Sequence, residues 1–216
     1  LFELTEAGIV VDHGEEAVPR YAITGDLQDD LSLHHSLSLF LIHAIDLLDR
    51  DDLDYALNVV SLVEAIVPHP KVILRAQVHR EKGHMVMAMK AEGIPYEERM
   101  EKLEEVTWPK PKGQWIYETY ETYAKHTPWL ATEPIRPKSV AREIIEVRNT
   151  FAAWVKSLQL ERSEGVVLRY LSQIYSTLLH NVPESARTPE LDDIVGFLRA
   201  LLARVDDSLV KTWEAM

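Results

Sequence analysis

Apolar residues recur three and four positions apart from about residue 31 onward, the spacing that places them on one face of an α-helix. The first two stripes are Leu37, Phe40, Leu41, Ile45 and Leu48, then Tyr55, Ala56, Val59, Val60, Val63 and Val67. Asp52 is a residue type that caps helices, so we expect it to begin the second helix. Pro68 and Pro70 are expected to end that helix.

Three more helices are predicted before a proline-rich connector. Two of them cover about residues 72–91 and about residues 96–105, with Gly93 and Pro95 between them. A third, aromatic helix shows helical spacing in Trp115, Tyr117, Tyr120 and Tyr123. Prolines at positions 128, 134 and 137 then indicate an extended connector.

The last third of the chain predicts three helices. Ser139 is expected to cap the first, which would bury Val140, Ile144, Val147, Phe151, Trp154 and Val155. Ser163 is expected to cap the second, with an apolar face of Val166, Val167, Tyr170, Leu171, Ile174, Tyr175, Leu178 and Leu179. The third begins at Thr188-Pro189-Glu190, which supplies a cap, a proline at the first helical position and an acid in the first turn.

Residues 1–30 lack helical spacing. Two short β-prone runs, 8–12 and 20–24, are separated by Gly14 and Pro19 and could pair as a hairpin. The pattern as a whole predicts a mainly α protein: a helical bundle with a short β-hairpin-like or extended N-terminal segment. We expect three divisions, an extended or hairpin arm at 1–30, an acidic helical region at 31–135 and a C-terminal helical bundle at 136–216.

Composition excludes several classes of protein. None of the 216 residues is cysteine, which excludes disulfide scaffolds and thiolate sites and fits a cytoplasmic location. No apolar run is long enough to cross a membrane, so we expect no membrane partner. The chain begins with Leu1, which we interpret as a piece of a longer protein, and we expect it to be a monomer.

The charge is unevenly distributed along the chain. Residues 1–135 carry 24 acidic and 12 basic side chains, so they account for the whole net charge of −12, and residues 136–216 are neutral. A strongly negative protein is a poor generic binder of nucleic acid, because phosphate neutralisation supplies most of that affinity. The two parts are therefore expected to face different partners, or one partner in different ways.

No enzyme motif is complete in the sequence. A phosphate-binding loop, a dinucleotide fingerprint and a Gly-x-Ser-x-Gly elbow are all missing, so we expect no catalytic residue, metal site or cofactor in this chain. Glu81 and His84 have the spacing used in di-iron bundles, but those sites need two such motifs. The histidines at 34–35 and the acids between 49 and 54 are better explained as surface and capping residues.

Two helices have side chains that nucleic acid could use. The aromatic helix at about 115–123 could stack on bases, although aromatic residues at this spacing are more often part of a core. The helix after Ser163 has a polar face nearly free of acids, formed by Arg169, Ser172, Gln173, Ser176 and His180. Such a face suits hydrogen bonds to bases or backbone groups, and an ordinary solvated face is the alternative.

The helix after Ser163 also carries a family resemblance. Arg136-Pro137, Phe151, Glu164-Gly165 followed by Arg169, Leu178-Leu179 and Glu190-Leu191 are similar to the C-terminal helical domain of the Ski–Mtr–Dob–HelY group of superfamily 2 RNA helicases. The region before it resembles a bacterial branch of these DEAD/DEAH-box helicases whose C-terminal part is a domain of unknown function. That likeness rests on residues 26–30, 96–100, 104–111 and 163–171.

The resemblance implies a site and structural positions. In that group, two RecA-like domains hold ATP and Mg and move along RNA, while one helix of the C-terminal bundle contacts unpaired bases. Carried over to this sequence, the nucleic-acid contacts are Arg169, Gln173 and Ser176. The better-known eukaryotic relatives have arginine and glutamate where Gln173 and Ser176 stand. Residues implied to be structural are Phe151, Glu164 and Gly165.

The resemblance therefore predicts the C-terminal accessory domain of an ATP-dependent RNA or DNA helicase. It would guide single-stranded nucleic acid and brace the motor domains of the same chain, and ATP and Mg would belong to that motor. The alternative is a protein-interaction module that docks the helicase onto a nuclease or a ribosome-associated partner. The acidic region 31–135 favours that alternative.

Overall fold

The computed structural model of the protein describes residues 10–12, 21–23, 37–127, 134–148 and 150–214, the first two stretches by backbone alone. Strand β1 (Val10–Asp12) pairs antiparallel with strand β2 (Tyr21–Ile23), and Val11 lies opposite Ala22. The pairing places a hairpin where the two β-prone runs predicted one. The rest of the described chain is mainly α, as the hydrophobic spacing predicted.

Nine α-helices follow in the described part of the chain. They are α1 (Ser38–Asp46), α2 (Tyr55–Ile66), α3 (Lys71–Ala91), α4 (Tyr96–Glu104), α5 (Gly113–His126), α6 (Ala141–Val147), α7 (Phe151–Ser157), α8 (Glu164–His180) and α9 (Pro189–Glu214). Short 3₁₀ turns precede α8 and α9. Helix α9 is kinked at Asp206, whose backbone is extended (φ −154°, ψ 100°).

Several helix boundaries follow the predicted signals. The backbone of Val67 is extended, which ends α2 just before Pro68, and Pro70 occupies the N-cap position of α3. Thr188 caps α9, because its Oγ1 accepts a hydrogen bond from the Leu191 N–H at 3.3 Å. The cap assigned to Asp52 is wrong by two residues. Asp54 occupies the N-cap of α2, while the Asp52 carboxylate accepts from the Asp54 N–H at 2.9 Å.

The single helix predicted across Val140–Val155 is two helices. Arg148 adopts a left-handed backbone (φ 49°, ψ 32°) that ends α6, and Thr150 starts α7 by accepting from the Ala153 N–H at 3.3 Å. Val147, the last residue of α6 before this break, is 55% exposed rather than buried as predicted. The Ser139 cap is also wrong: Val140 occupies the N-cap of α6 and offers no side-chain hydrogen bond.

One hydrophobic core joins helices from both predicted helical regions. Helix α8 packs against α2 from the acidic region and against α9, and Tyr170, Leu171 and Ile174 are almost completely buried there. Helices α1 and α5 pack together beside α2, with the Phe40 and Tyr120 rings edge-to-face at 5.1 Å between centroids. The aromatic residues of α5 thus serve the core in part, while Tyr117 stays exposed.

Candidate functional site

Helix α8 presents a narrower polar strip than its sequence predicts. Arg169 is exposed and Gln173 is half-buried, one turn apart on the helix. Ser176 and Ser172 are only 7% and 4% exposed, because α8 is covered on two sides by α2 and α9. Of the three predicted nucleic-acid contacts, Arg169 and Gln173 are therefore the accessible ones, and Ser176 lies almost closed to solvent.

The three residues implied to be structural have different surroundings. Phe151 begins α7 and packs into the core. Glu164 is exposed in the first turn of α8, where a negative charge is favoured by the helix dipole. A Cβ at Gly165 would meet no described atom within 4 Å, so packing in the described part of the protein does not require glycine there. Val166, predicted to face inward, is 42% exposed beside it.

A buried carboxylate that the sequence pattern did not single out joins three helices. Glu64, in α2, has no solvent exposure. Its Oε1 accepts from the Val140 N–H at 2.7 Å and the Ala141 N–H at 2.9 Å, and its Oε2 accepts from the Arg142 N–H at 3.1 Å. The Tyr170 hydroxyl of α8 donates to Oε1 at 2.9 Å. Glu64 thus caps α6 from a distant part of the chain, using N–H groups that the helix itself cannot satisfy.

Burial sets the ionisation of this cluster. Burial raises the pKa of Glu64, and its hydrogen bonds from the α6 backbone and from Tyr170 oppose that rise. Burial, with the Glu64 charge beside it, also holds the pKa of Tyr170 well above its ordinary value. Lys138 is almost fully buried and donates from Nζ to the Val67 carbonyl at 2.8 Å and to the Arg136 carbonyl at 3.1 Å. Burial lowers the pKa of Lys138 to about 8, although the Glu64 charge pulls it upward.

Lys138 should make stability rise with pH in mildly alkaline solution. The folded chain releases this proton near pH 8, while the unfolded chain holds it to about pH 10.4, so the unfolded state binds more protons between these values. The free energy of unfolding should therefore increase from about pH 8 upward, by about 3 kcal/mol at most. Urea denaturation from about pH 7.5 to 9.5, below most tyrosine ionisation, measures the slope.

The matched pair for this test is Lys138→Met and Lys90→Met. Lys138→Met should abolish the rise, whatever it does to absolute stability. Lys90 is exposed at the end of α3, so Lys90→Met should keep the wild-type slope. Equal slopes in all three proteins would contradict the assignment.

A second polar cluster fixes α3 against α6 and α7. The Glu143 carboxylate accepts two hydrogen bonds from the Arg80 guanidinium, at 2.8 and 2.9 Å. It also accepts from Gln77 Nε2 at 2.8 Å and from the Trp154 indole at 2.9 Å. Gln77 Nε2 donates in addition to the Ser139 carbonyl at 2.6 Å. These four hydrogen bonds to one carboxylate connect α3 with α6 and α7, so Glu143 anchors the three helices to one another.

The Arg136-Pro137 segment of the resemblance is tied to the rest of the fold through its backbone. The Arg136 N–H donates to the Ala65 carbonyl of α2 at 2.9 Å. The Pro137 carbonyl accepts from the Trp108 indole at 3.3 Å. The segment therefore lies against the C-terminal end of α2, while the side chain of Arg136 remains exposed.

The described residues do not assemble a metal centre. No three His, Asp or Glu side chains converge within the parts of the chain that the structure covers. Glu81 and His84 form one exposed pair, with His84 Nδ1 and Glu81 Oε2 4.0 Å apart. The histidines at 34–35 lie outside the described residues. None of the described helices is long and apolar enough to cross a membrane.

Comparison with known proteins identifies a family. The family model described as "Domain of unknown function (DUF3516)" matches residues 1–216. No match was found among curated proteins, and none was found among solved structures. The match agrees with the part of the resemblance that concerns a domain of unknown function, and the helicase connection stays a prediction.

Proposed function

The chain belongs to the DUF3516 family, and we propose that it acts as the C-terminal accessory domain of a cytoplasmic ATP-dependent RNA or DNA helicase. It would guide single-stranded nucleic acid along α8 and brace the motor domains of the same protein. It would have no catalytic residue of its own, and ATP and Mg would be bound by the motor. The resemblance over residues 136–216 supports this proposal, and α8 is the helix on which it centres.

One observation carries the nucleic-acid part of the proposal. Arg169 and Gln173 lie one turn apart on the accessible strip of α8, and in the described part of the protein neither side chain makes a hydrogen bond or an ion pair. By contrast, Arg80 and Arg142 are held by carboxylates of this chain. An unpaired guanidinium can bind a phosphate or stack on a base, and an unpaired amide can hydrogen-bond a base edge.

The test is nucleic-acid-stimulated ATPase of the full-length protein, measured at two salt concentrations. Arg169→Ala should lower the stimulation by about fivefold to tenfold, and Gln173→Ala by about twofold to threefold, because the arginine can neutralise a phosphate. The Arg169→Ala deficit should shrink at high salt if phosphate is its partner. Ser176→Ala should change little, since Ser176 is buried. Arg204→Ala, an exposed arginine of α9, is the matched control.

The docking alternative has its own supporting observation. A groove of about 710 Å³ combines apolar side chains such as Leu53 and Phe197 with the acids Glu146, Glu190 and Asp193. Such a groove suits a partner segment with basic and apolar residues. Unchanged stimulation in Arg169→Ala, together with loss of ribosome co-sedimentation in Leu53→Asp, would favour docking over strand guidance.

A further inference from the structure

Cationic side chains from both the acidic region and the C-terminal bundle surround His69. His69 stands just before α3, and four cationic side chains act on it: Lys71, Lys110, Arg136 and Lys138. Burial lowers the pKa of His69, and these four charges lower it further. The surroundings of His69 are therefore locally positive, although residues 1–135 carry 24 acidic against 12 basic side chains.

His69 and Lys71 line an open cavity of about 390 Å³ between the start of α3 and the segment before α5. Its walls are mainly apolar and include Leu74, Val78, Val106 and Trp108. Lys71 and Arg75, both exposed and one turn apart on α3, stand at its border. The cavity therefore combines an apolar interior with two accessible cations, and its size falls in the range of small-ligand sites.

The aromatic side of the cavity is held in place by the protein. The Trp108 indole donates to the Pro137 carbonyl, and its ring packs edge-on against the His69 ring at 5.0 Å between centroids. The Lys110 ammonium lies 5.1 Å from the centroid of the Trp108 ring. An aromatic ring fixed in this way can contact a ligand with little further loss of conformational entropy.

The start of α3 adds to the positive character of the cavity. This helix has 21 residues, no acid in its first turn and no side-chain cap, because Pro70 stands at its N-cap. The positive end of its dipole therefore faces the same region as Lys71. His69 Nδ1 is closed to solvent and has no hydrogen-bond partner among the described residues.

We propose that this cavity binds a phosphorylated nucleotide unit, with the base against Trp108 and the phosphate at Lys71 and Arg75. An apolar, aromatic slot next to cations matches a nucleotide, whose flat base and charged phosphate need different surroundings. An acidic peptide would require hydrogen bonds to its backbone, and the largely apolar walls offer few of them. The unit could come from a single strand or from a free nucleotide. The proposal does not depend on the role of α8.

The experiment measures fluorescence anisotropy of a labelled oligouridylate of about ten nucleotides with the 216-residue chain. The double variant Lys71→Glu/Arg75→Glu should weaken binding about tenfold and flatten the salt dependence by about 0.7 per lost phosphate contact. The matched double variant Lys90→Glu/Lys125→Glu makes the same change in net charge at exposed positions away from the cavity. It should weaken binding by less than about twofold.

The aromatic contact is tested separately. Trp108→Phe should bind nearly as well as wild type, because it keeps a ring, whereas Trp108→Ala should bind several times more weakly. Thermal unfolding of each variant shows whether it is folded. If Trp108→Ala is unfolded, the comparison of Lys71→Glu/Arg75→Glu with Lys90→Glu/Lys125→Glu decides the proposal. Arg169→Ala in the same assay tests α8 independently of the cavity. A loss of binding in Arg169→Ala alone would place the contact on α8, and a loss in Lys71→Glu/Arg75→Glu alone would place it at the cavity.

Competition identifies the ligand class. Displacement of the oligonucleotide by AMP alone would support a free nucleotide as the source, and displacement by unlabelled oligonucleotide alone would support a strand. A glutamate-rich peptide that competes as well as the oligonucleotide would overturn the nucleotide proposal in favour of an acidic peptide. Equal losses in the two double variants, or no loss in Lys71→Glu/Arg75→Glu, would also overturn it.

Discussion

Replacing Glu64 with alanine should lower the free energy of unfolding by about 3–5 kcal/mol. The substitution would leave three backbone N–H groups at the start of α6 and the Tyr170 hydroxyl without their buried acceptor. Each unsatisfied buried donor costs about 1–3 kcal/mol, and relaxation of the site reduces the sum. Urea denaturation followed by circular dichroism measures the loss.

Two further variants show whether the carboxylate itself is responsible. Glu64→Gln keeps one acceptor oxygen but turns an NH₂ group toward N–H donors, so it should cost about 1–3 kcal/mol. Glu121→Ala removes an exposed carboxylate of α5 and should stay within about 0.5 kcal/mol of wild type. If Glu64→Ala were as stable as Glu121→Ala, the bonds from α6 would contribute nothing to folding.

Helix positions were predictable because their signals are local. Proline ends α2 and starts α3 within two residues of the predicted points, since a missing N–H and a fixed φ act on the backbone directly. The Thr188 cap is equally local. Such features depend on the nearest few residues and not on the rest of the fold.

The break between α6 and α7 could not be predicted in this way. Apolar positions from Val140 to Val155 keep helical spacing, although the left-handed Arg148 and the extended Thr150 interrupt the helix. Arginine does not favour that conformation, so the residue type gives no local signal for the break. For a related reason helical spacing places Ser176 on the polar face of α8, although it is only 7% exposed. Helical spacing gives the face on which a residue lies, but not how many neighbouring helices cover it.

The polar clusters were missed because their partners are far apart in sequence. Glu64 meets backbone groups 76 to 78 residues away and the Tyr170 hydroxyl 106 residues away. The cavity beside His69 draws on residues near 70 and near 108. The positions of prolines and histidines in the sequence indicate neither the Glu64 cluster nor the cavity beside His69. A buried glutamate on the apolar stripe of a predicted helix was the available signal, because an ionised side chain in that position needs partners.

Leu171→Ala should destabilise the chain by about 2–5 kcal/mol, the usual range for a buried leucine. Leu171 has no solvent exposure and lies in α8, which packs between α2 and α9. The loss combines the transfer free energy of the removed methyl groups with the cavity that remains, and the well-packed helices on both sides limit collapse. Chemical denaturation of the purified chain gives the difference.

Val166→Ala is the matched control, because Val166 lies on the same helix and is 42% exposed. It removes apolar atoms from α8 without opening a cavity, so its cost should stay within about 0.5 kcal/mol. A loss below about 1 kcal/mol for Leu171→Ala would mean that the α8 interface contributes little in solution. Equal losses of unfolding free energy in both variants would mean that the substitutions weaken helix α8 itself, since the two positions share α8 but not its buried face. A large loss confined to Leu171→Ala would assign the effect to the interface with α2 and α9, and so to the contact that joins the acidic region to the C-terminal bundle.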